Sequence, residues 1–274
     1  MNVSFPRTRG EILSPAEIDA AADYLLSIRI GGEKIVDLPA SFRPGSLDEA
    51  YAIQRRLVAK FPASSVGWFV ALTSPEMQSV HRAPGPIYGR ILRPNLHRSP
   101  GVVLLRDSER SVTVEAEYAF RMARDLTPGL TYTESVVAGA IRSVVPMLEF
   151  VDSIFEDMTA VGVASLIADN GADGQIVLGQ DCERLSPAEL LTDPVRVSVN
   201  GVPVAEGHPS NVMGGPLRVL TWFVNEHTKG GQVIREGEIV GTGNCLQRYC
   251  YGRAGDGANA DFGSLGSVSV TLAA

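Results

Sequence analysis

The sequence predicts an α+β protein whose helices come first and whose strands follow. Two amphipathic stretches with helix-capping residues open the chain, and short apolar runs separated by turn residues fill most of the remainder. Residues 201–274 hold 14 of the 28 glycines, a pattern typical of short strands joined by turns. With 274 residues, 45% of them hydrophobic, the chain is long enough to bury such a core.

The helices are predicted from capping residues and apolar spacing. Residues 14–17, Ser-Pro-Ala-Glu, form a capping box with proline at the first helical position, and residues 46–49, Ser-Leu-Asp-Glu, repeat the signal. Apolar residues follow both at helical spacing. A third helix is predicted from Thr133 to about Val144, where Pro146 ends it, and a fourth over residues 217–227.

The strands are predicted from short apolar runs. These runs cover residues 66–72, 102–105, 111–121, 147–151, 195–199, 237–240 and 267–272. Residues 81–100 contain Pro84, Pro86, Pro94 and Pro100 and are predicted to form a long irregular loop. Residues 169–174, Asp-Asn-Gly-Ala-Asp-Gly, are interpreted as a tight turn between strands or as a loop at the mouth of a pocket.

Composition excludes several classes of protein. The net charge is −7, from 24 Lys and Arg against 31 Asp and Glu, and no basic run offers a surface for nucleic acid. Three cysteines do not make a disulfide scaffold and fit a reducing compartment. The first residues lack the apolar core of a signal peptide, and no apolar run reaches the ~18 residues that a membrane span needs. We expect a cytoplasmic protein that contacts neither membrane nor nucleic acid.

Three glutamates are candidates for a metal site. Glu115 and Glu117 share one face of a predicted strand, since side chains alternate along a strand. Glu149 lies within the apolar run Met-Leu-Glu-Phe-Val, where an unpaired carboxylate is costly to bury. Three oxygen ligands without His or Cys suit Mg²⁺ or Mn²⁺ and argue against zinc. Spacing alone leaves open that Glu115 and Glu117 belong to a solvated strand face.

An ordered set of short motifs resembles one enzyme family. The set runs through nearly the whole chain, from about Ser14 to Leu272, and consists of AYAIQ (50–54), LTSP (72–75), VEAE (114–117), LEFVDS (148–153), ADNG (168–171), VLG (177–179), GGPL (214–217), GEIVGTG (237–243) and LGSV (265–268). The chain thereby resembles the 2-keto-4-pentenoate hydratase and 4-oxalocrotonate decarboxylase family, which belongs to the fumarylacetoacetate hydrolase superfamily.

The resemblance implies a fold, a cofactor and an activity. The fold is a mixed β-roll, with an N-terminal helical region in residues 1–75 and a metal-binding, catalytic, β-rich domain in residues 76–274, usually in a homo-oligomer. Mg²⁺ or Mn²⁺ maps onto Glu115, Glu117 and Glu149 and chelates a small 2-keto acid, so that charge developing on the enolate oxygen is stabilised. The implied enzyme is a lyase. Its expected activity is that of a hydratase, and the alternative is that of a decarboxylase.

One departure from the family pattern puts the standard chemistry in question. Family members carry a lysine where this chain has Phe69, and the usual Asp-Ser-Arg after the third acid reads Asp152-Ser153-Ile154. Phenylalanine neither anchors a carboxylate nor moves protons. A diverged isomerase, cyclase or C–C hydrolase is therefore one alternative. A non-catalytic stabilising subunit is another, and the three retained acids argue against it.

Further residues are candidates for the substrate pocket. Phe69, Ser74, Gln78, Asn170 and Thr242 are expected around the substrate, because they lie in or beside the family motifs. His208 is the candidate to replace the missing lysine in proton transfer. The histidines of the proline-rich segment, His81 and His97, are weaker candidates for the pocket, and His227 is expected to cap the end of a helix.

Overall fold

The computed structural model describes residues 12–105, 111–183 and 192–274. The α-helices are α1 (Pro15–Gly31), α2 (Leu47–Lys60), α3 (Pro75–Val80), α4 (Glu134–Ala138), α5 (Val163–Ala168) and α6 (Pro216–Lys229). The strands are β1 (Ser65–Ala71), β2 (Ile87–Leu92), β3 (Leu96–Arg98), β4 (Gly101–Leu104), β5 (Val112–Met122), β6 (Ile141–Val151), β7 (Gln175–Leu178), β8 (Val195–Val199), β9 (Val202–Gly207), β10 (Ile239–Gly241), β11 (Cys250–Gly252), β12 (Gly257–Asp261) and β13 (Ser267–Ala273). None of the described helices has the length and apolar composition needed to cross a bilayer.

The first two helices begin where their capping residues predict. The Ser14 side chain accepts a hydrogen bond from the backbone N–H of Glu17, and the Glu17 carboxylate accepts one from the backbone N–H of Ser14. Ser46 is the N-cap of α2, and its side chain accepts a hydrogen bond from the backbone N–H of Glu49. Helices α1 and α2 pack with α5 around an apolar cluster of their own that includes Leu25 and Ile53. The prediction of a helical N-terminal region is confirmed.

The described strands form two sheets. The larger has the order β2-β1-β10-β5-β6-β7-β3, with β11 also paired to β5, and the smaller has the order β4-β13-β12-β8-β9. Strand β5 lies at the centre of the larger sheet, antiparallel to both β6 and β10. The chain is thus a mixed α and β protein whose first two elements are helices, as the sequence predicts.

The two faces of β5 have different surroundings. Val114, Ala116 and Tyr118 point into the large apolar core between the sheets and α6. Residues 115 and 117 alternate with them and point to the opposite face. Further along that face Ala119 joins a small apolar cluster with Phe69 of β1. The acidic residues therefore stand above an apolar floor on the second face of the sheet.

The segment predicted to be an irregular loop contains two strands. Within residues 81–100, β2 pairs antiparallel with β1 and β3 pairs parallel with β7. The prediction is wrong because the four prolines lie before, between and after these strands rather than inside them. Both strands are at the edges of the larger sheet, where proline nearby is best tolerated.

The predicted third helix is much shorter than expected. Helix α4 ends at Ala138, and residues 141–151 form the long strand β6, with Pro146 inside it. Residues 143–150 are buried on both faces of the sheet, so their sequence has no period-two alternation to distinguish strand from helix. Pro146 has no N–H to donate to the sheet, but its carbonyl accepts a hydrogen bond from Gly179 N at 2.8 Å.

Residues 169–174 do not connect two strands. They follow α5, pass through a 3-10 turn at Asn170–Ala172, and lead into β7. Gly171 takes a left-handed conformation there, with φ of 71°, which glycine adopts readily. The interpretation as a turn between strands is wrong because the apolar residues before it are helical.

Candidate active site

Three glutamate side chains converge on the second face of the larger sheet. Glu115 and Glu117 lie two residues apart on β5, and Glu149 lies on β6 directly opposite Glu115 in the antiparallel register. Each offers one carboxylate oxygen, and these oxygens all lie within 4.8 Å of one another. Glu117 is 1% and Glu149 3% exposed. The structure therefore brings together the three acids that the sequence singled out.

Strand β10 and the two residues after it fit closely around Glu117. The backbone N–H of Gly243 donates to Glu117 Oε2 at 2.9 Å. A Cβ atom at Gly241 would lie 2.9 Å from that same oxygen and 2.6 Å from Met147 Cε. Gly243 has φ of 89°, and its Cβ would meet the Thr73 side chain at 2.3 Å. Close packing against Glu117 thus explains Gly241, whereas the positive φ and the contact with Thr73 explain Gly243.

The three carboxyl groups carry raised pKa values. Burial raises the pKa of Glu115 to about 7. Burial, with the charge of Glu115 added, raises the pKa of Glu117 to about 8. Burial and the charges of both neighbours also raise the pKa of Glu149 well above its usual value. No ion pair within the described residues compensates these acids, so the cluster favours either protons or an added cation.

The chemistry of the cluster fits a hard divalent cation. All three candidate ligands are carboxylate oxygens, which Mg²⁺ and similar ions prefer. The cluster contains neither His nor Cys, the ligands that favour zinc. A cation held there would also offset the electrostatic cost of three adjacent carboxylates, two of them buried. The residues present therefore fit the metal that the family resemblance implies.

The cluster opens into a cavity of about 800 Å³, a volume in the range of small-molecule sites. One part of its wall is apolar and another is polar. The apolar part includes Phe69, Ala71, Leu72, Ile87, Met158 and Leu166. The polar part includes Thr73, Ser74, His81, Asn211, Asn244 and Arg248. A substrate in this cavity would meet the acids beside a largely apolar wall.

Two of the five predicted pocket residues line this cavity. Phe69 is buried, and its ring lies so close to Gly89 that a Cβ there would be 2.5 Å from it. Phe69 thus occupies the floor beside the acids. Ser74 also lines the cavity, and its hydroxyl caps α3 by accepting from Met77 N at 3.2 Å.

Gln78 and Thr242 are not among the residues that line the cavity. The amide of Gln78 donates to Leu72 O at 2.9 Å. The hydroxyl of Thr242 donates to Tyr118 O at 2.7 Å. Both side chains support the backbone around the cavity rather than its interior.

Asn170 and His208 also lie outside the cavity lining. The Asn170 side chain accepts from Arg90 N at 2.8 Å and donates to Arg90 O at 2.9 Å, so it fixes β2. His208 Nδ1 lies 2.7 Å from Ser210 Oγ and accepts from Ser210 N, which caps a 3-10 turn. Neither side chain has a direct route to a bound substrate in this conformation.

His81 is the histidine that the structure places in the cavity. It ends α3, is 5% exposed, and lines the cavity with the three acids. Its Nδ1 is buried without a hydrogen-bond partner among the described residues. Burial lowers its pKa, so its ring is neutral near pH 7. His97, by contrast, lies on β3, where its Nε2 is 2.7 Å from Gln175 Oε1.

Several polar lining residues were not predicted from the sequence. Asn211, Asn244 and Arg248 come from the connections after β9 and β10. At the mouth, the Tyr249 hydroxyl lies 2.9 Å from Met77 Sδ. Asn244 directly follows the Gly-Thr-Gly motif, and that proximity was the one signal in the sequence that could have identified it.

A buried ion-pair network supports the site from behind. Arg29 of α1 places Nε 2.6 Å from Asp169 Oδ1 and Nη2 2.7 Å from Asp173 Oδ1. All three side chains are buried. Asp173 leads into β7, whose Ile176 pairs with Glu149. The N-terminal helix thus fixes the segment that flanks the third acid.

Comparison with known proteins identifies relatives of the chain. The model of the fumarylacetoacetate (FAA) hydrolase C-terminal family matches residues 74–273. The chain is 30% identical over 258 residues to the TodF product hydratase of Pseudomonas putida, covering 92% of this chain and 94% of that protein. It is 28% identical over 262 residues to the 2-keto-4-pentenoate hydratase of Paraburkholderia xenovorans, covering 93% and 95%.

A solved structure shares the fold. It is the 4-oxalocrotonate decarboxylase from Pseudomonas putida G7, complexed with magnesium and adipate, at a TM-score of 0.88 and 24% identity. The match covers 96% of this chain and 100% of that chain.

Proposed function

The chain belongs to the fumarylacetoacetate hydrolase family, and from that premise we propose that it is a divalent-metal-dependent lyase that adds water to an unsaturated 2-keto acid. The observation that carries this proposal is the convergence of Glu115, Glu117 and Glu149 at the floor of a cavity large enough for such a substrate. Hydration is preferred to decarboxylation because the chain is similar to proteins that are named hydratases.

Glu115, Glu117 and Glu149 hold the cation in this proposal. Mg²⁺ is the first choice because a solved relative contains it, and Mn²⁺ is the alternative with similar ligand preference. When bound, the cation supplies positive charge that stabilises negative charge on the carboxylate and C2 oxygen of a 2-keto acid. Gly243 N holds Glu117 in place through its hydrogen bond.

We assign proton transfer to His81 in place of His208. His81 lines the cavity, and its neutral Nδ1 is buried and accepts no hydrogen bond within the described residues. It takes a proton from a water molecule whose oxygen forms a bond to C4 of the 2-oxo-3-enoic tautomer. His81 then gives this proton to C3, which completes the addition of H and OH and yields a 4-hydroxy-2-oxo acid. In this assignment His81 performs the proton transfer that a lysine at position 69 would perform and that Phe69 cannot.

The first test measures consumption of 2-hydroxypenta-2,4-dienoate by ultraviolet absorbance, with and without Mg²⁺. We expect turnover that requires the cation and falls by about 100-fold or more in Glu117→Gln. Glu76→Gln is the matched control, because Glu76 also lines the cavity but lies outside the acid cluster. Equal turnover without Mg²⁺, or equal loss in both variants, would contradict the proposal.

The second test compares the two histidines. His81→Gln is expected to lower kcat by about 100-fold while leaving Mg²⁺ binding unchanged, and His208→Gln is expected to leave both near the wild-type values. NMR analysis of the product separates water addition, which gives a 4-hydroxy-2-oxo acid, from loss of CO₂. A larger loss of kcat in His208→Gln than in His81→Gln would refute the histidine assignment.

We also propose that copies of the chain associate and that the enzyme works in the cytoplasm. Val102 and Leu104 support association, because these two large apolar residues are 55% and 66% exposed on β4, an edge strand of the smaller sheet. The three cysteines, all free, support a reducing compartment. Light scattering of the purified protein tests the first of these proposals.

A further inference from the structure

A second cavity lies on the other side of β1 from the acid cluster. Its volume is about 170 Å³, and it shares no lining residue with the catalytic cavity. It is lined by Trp68 of β1, Tyr88 and Arg90 of β2, Tyr51 and Arg55 of α2, and His227 of α6. Trp68 directly precedes Phe69, and the two side chains face opposite sides of the sheet. This cavity is therefore structurally separate from the proposed active site.

Four of the residues that line this cavity carry aromatic rings: Tyr51, Trp68, Tyr88 and His227. Tyr51 and Tyr88 are stacked, with ring centroids 4.4 Å apart and an interplanar angle of 19°. His227 meets Trp68 edge-on at 4.1 Å. The guanidinium of Arg90 lies 3.3 Å from the centroid of the Trp68 ring. Walls of this kind bind flat rings, because aromatic pairs gain stabilisation from stacked or edge-on contact.

The electrostatics of the lining favour an anion. Both charged residues in the lining are arginines, and Arg90 is already paired with Glu238 at 2.9 Å. Arg55 is exposed and forms no ion pair or side-chain hydrogen bond within the described part of the chain. Asp48 and Glu226 influence the Tyr88 hydroxyl, but neither lines the cavity. The Arg55 guanidinium is thus available to a carboxylate.

His227 is a buried polar group that the fold leaves unsatisfied. It is 2% exposed, and both ring nitrogens lack a hydrogen-bond partner among the described residues. Burial, with Arg90 and Arg55 nearby, lowers its pKa to about 3, so the imidazole is neutral. It therefore contributes an aromatic wall without a charge of its own.

The volume limits the ligand to one ring. A buried apolar cavity of about 150 Å³ is sufficient to bind benzene, so 170 Å³ admits a six-membered aromatic ring. We propose that this cavity binds a small planar aromatic carboxylate of benzoate size, with its ring among Trp68, Tyr88 and Tyr51 and its carboxylate on Arg55. This inference does not depend on the proposed function, because the two cavities have no residue in common.

The test is a benzoate titration followed by tryptophan fluorescence. The sequence contains two tryptophans, so a Trp222→Phe background leaves Trp68 as the sole reporter. EDTA in the buffer removes cations and with them cation-mediated binding at the acid cluster. We expect saturable quenching, and a dissociation constant about tenfold higher in Arg55→Gln because a charge-assisted hydrogen bond is lost.

Two matched controls define the outcome. Arg56 is adjacent to Arg55 but points to Asp19, at 3.4 Å, so Arg56→Gln should bind benzoate as the parent does. Cyclohexanecarboxylate has the same charge and similar size without the aromatic ring, and we expect it to bind at least several-fold more weakly. The inference would be overturned by no saturation below roughly 50 mM, by equal loss in both arginine variants, or by equal binding of the two acids. It would also be overturned if oxalate with Mg²⁺ displaced benzoate in a buffer without EDTA.

Discussion

At the scale of single residues, the absence of a side chain at Gly241 shapes the acid cluster. A Cβ atom there would press on both Glu117 and Met147. Gly241→Ala is expected to weaken Mg²⁺ binding by about tenfold, because overpacking of this size costs about 1–3 kcal/mol. Isothermal titration measures the effect. Gly85→Ala is the matched control, since a Cβ at Gly85 meets nothing within 4 Å. Equal affinity in both variants would contradict this account.

Phe69 determines what the floor of the catalytic cavity can do. Its ring lies in an apolar cluster with Ala119 and Met147, beside the acids. Phe69→Lys would bring a cationic, proton-bearing group next to carboxyl groups that lack a counter-charge. We expect it to raise the turnover of short 2-hydroxydienoates, while Phe69→Met, which adds no charge, does not. If Phe69→Lys folds and gives no gain, the missing lysine does not explain the chain's substrate preference.

At the scale of secondary-structure elements, α1 is fixed to the body of the protein through Arg29. Arg29→Met would leave Asp169 and Asp173 buried without their cation. We expect it to lower the free energy of unfolding by about 3–5 kcal/mol, measured by urea denaturation. Lys60→Met is the control, because Lys60 forms a surface pair with Asp23 at 2.6 Å that is worth about 0–1 kcal/mol. Similar losses in both variants would contradict a special role for Arg29.

The elements differ in how far their sequences predicted them. Helices α1 and α2 could be predicted because their caps, Ser14 and Ser46, and their apolar spacing agree. Strand β6 could not be separated from α4, because residues buried on both faces of a sheet lose their alternation. The edge strands β2 and β3 were hidden by prolines that lie just outside them.

The candidate site was predictable where its residues share one strand. Alternation along β5 placed Glu115 and Glu117 on one face, and burial in an apolar run identified Glu149. His81 could not be preferred over His97 and His208, and Arg248 could not be selected, since their place in the cavity depends on how distant connections fold over the sheet. The division of the chain at residue 75 stays a prediction.

At the scale of the whole molecule, the raised pKa values connect stability to pH. The folded protein holds protons on Glu115 and Glu117 up to about pH 7 and 8, whereas the unfolded chain releases them near the ordinary carboxyl value. Between these limits the folded state binds more protons, so the free energy of unfolding falls as pH rises.

This gives a prediction for the cation-free protein. Its melting temperature should decrease between about pH 5.5 and 8, and Mg²⁺ should raise it more at the higher pH, because protons and cation compete for the same oxygens. Differential scanning fluorimetry measures both effects. Replacing Glu115, Glu117 and Glu149 together by glutamine should flatten the pH dependence. A melting temperature that rises with pH in the wild-type protein would contradict the prediction.

Glu115 lies opposite Glu149 only when β5 and β6 pair in the observed register. Successive side chains of a strand point to opposite faces, so a slip of one residue between β5 and β6 would reverse the side-chain faces and separate the acids. At the proposed site, uptake of a cation would therefore require that β5 and β6 have paired in the correct register. In a refolded preparation, the fraction of molecules that bind the ion would then measure the fraction in which β5 and β6 have paired in register.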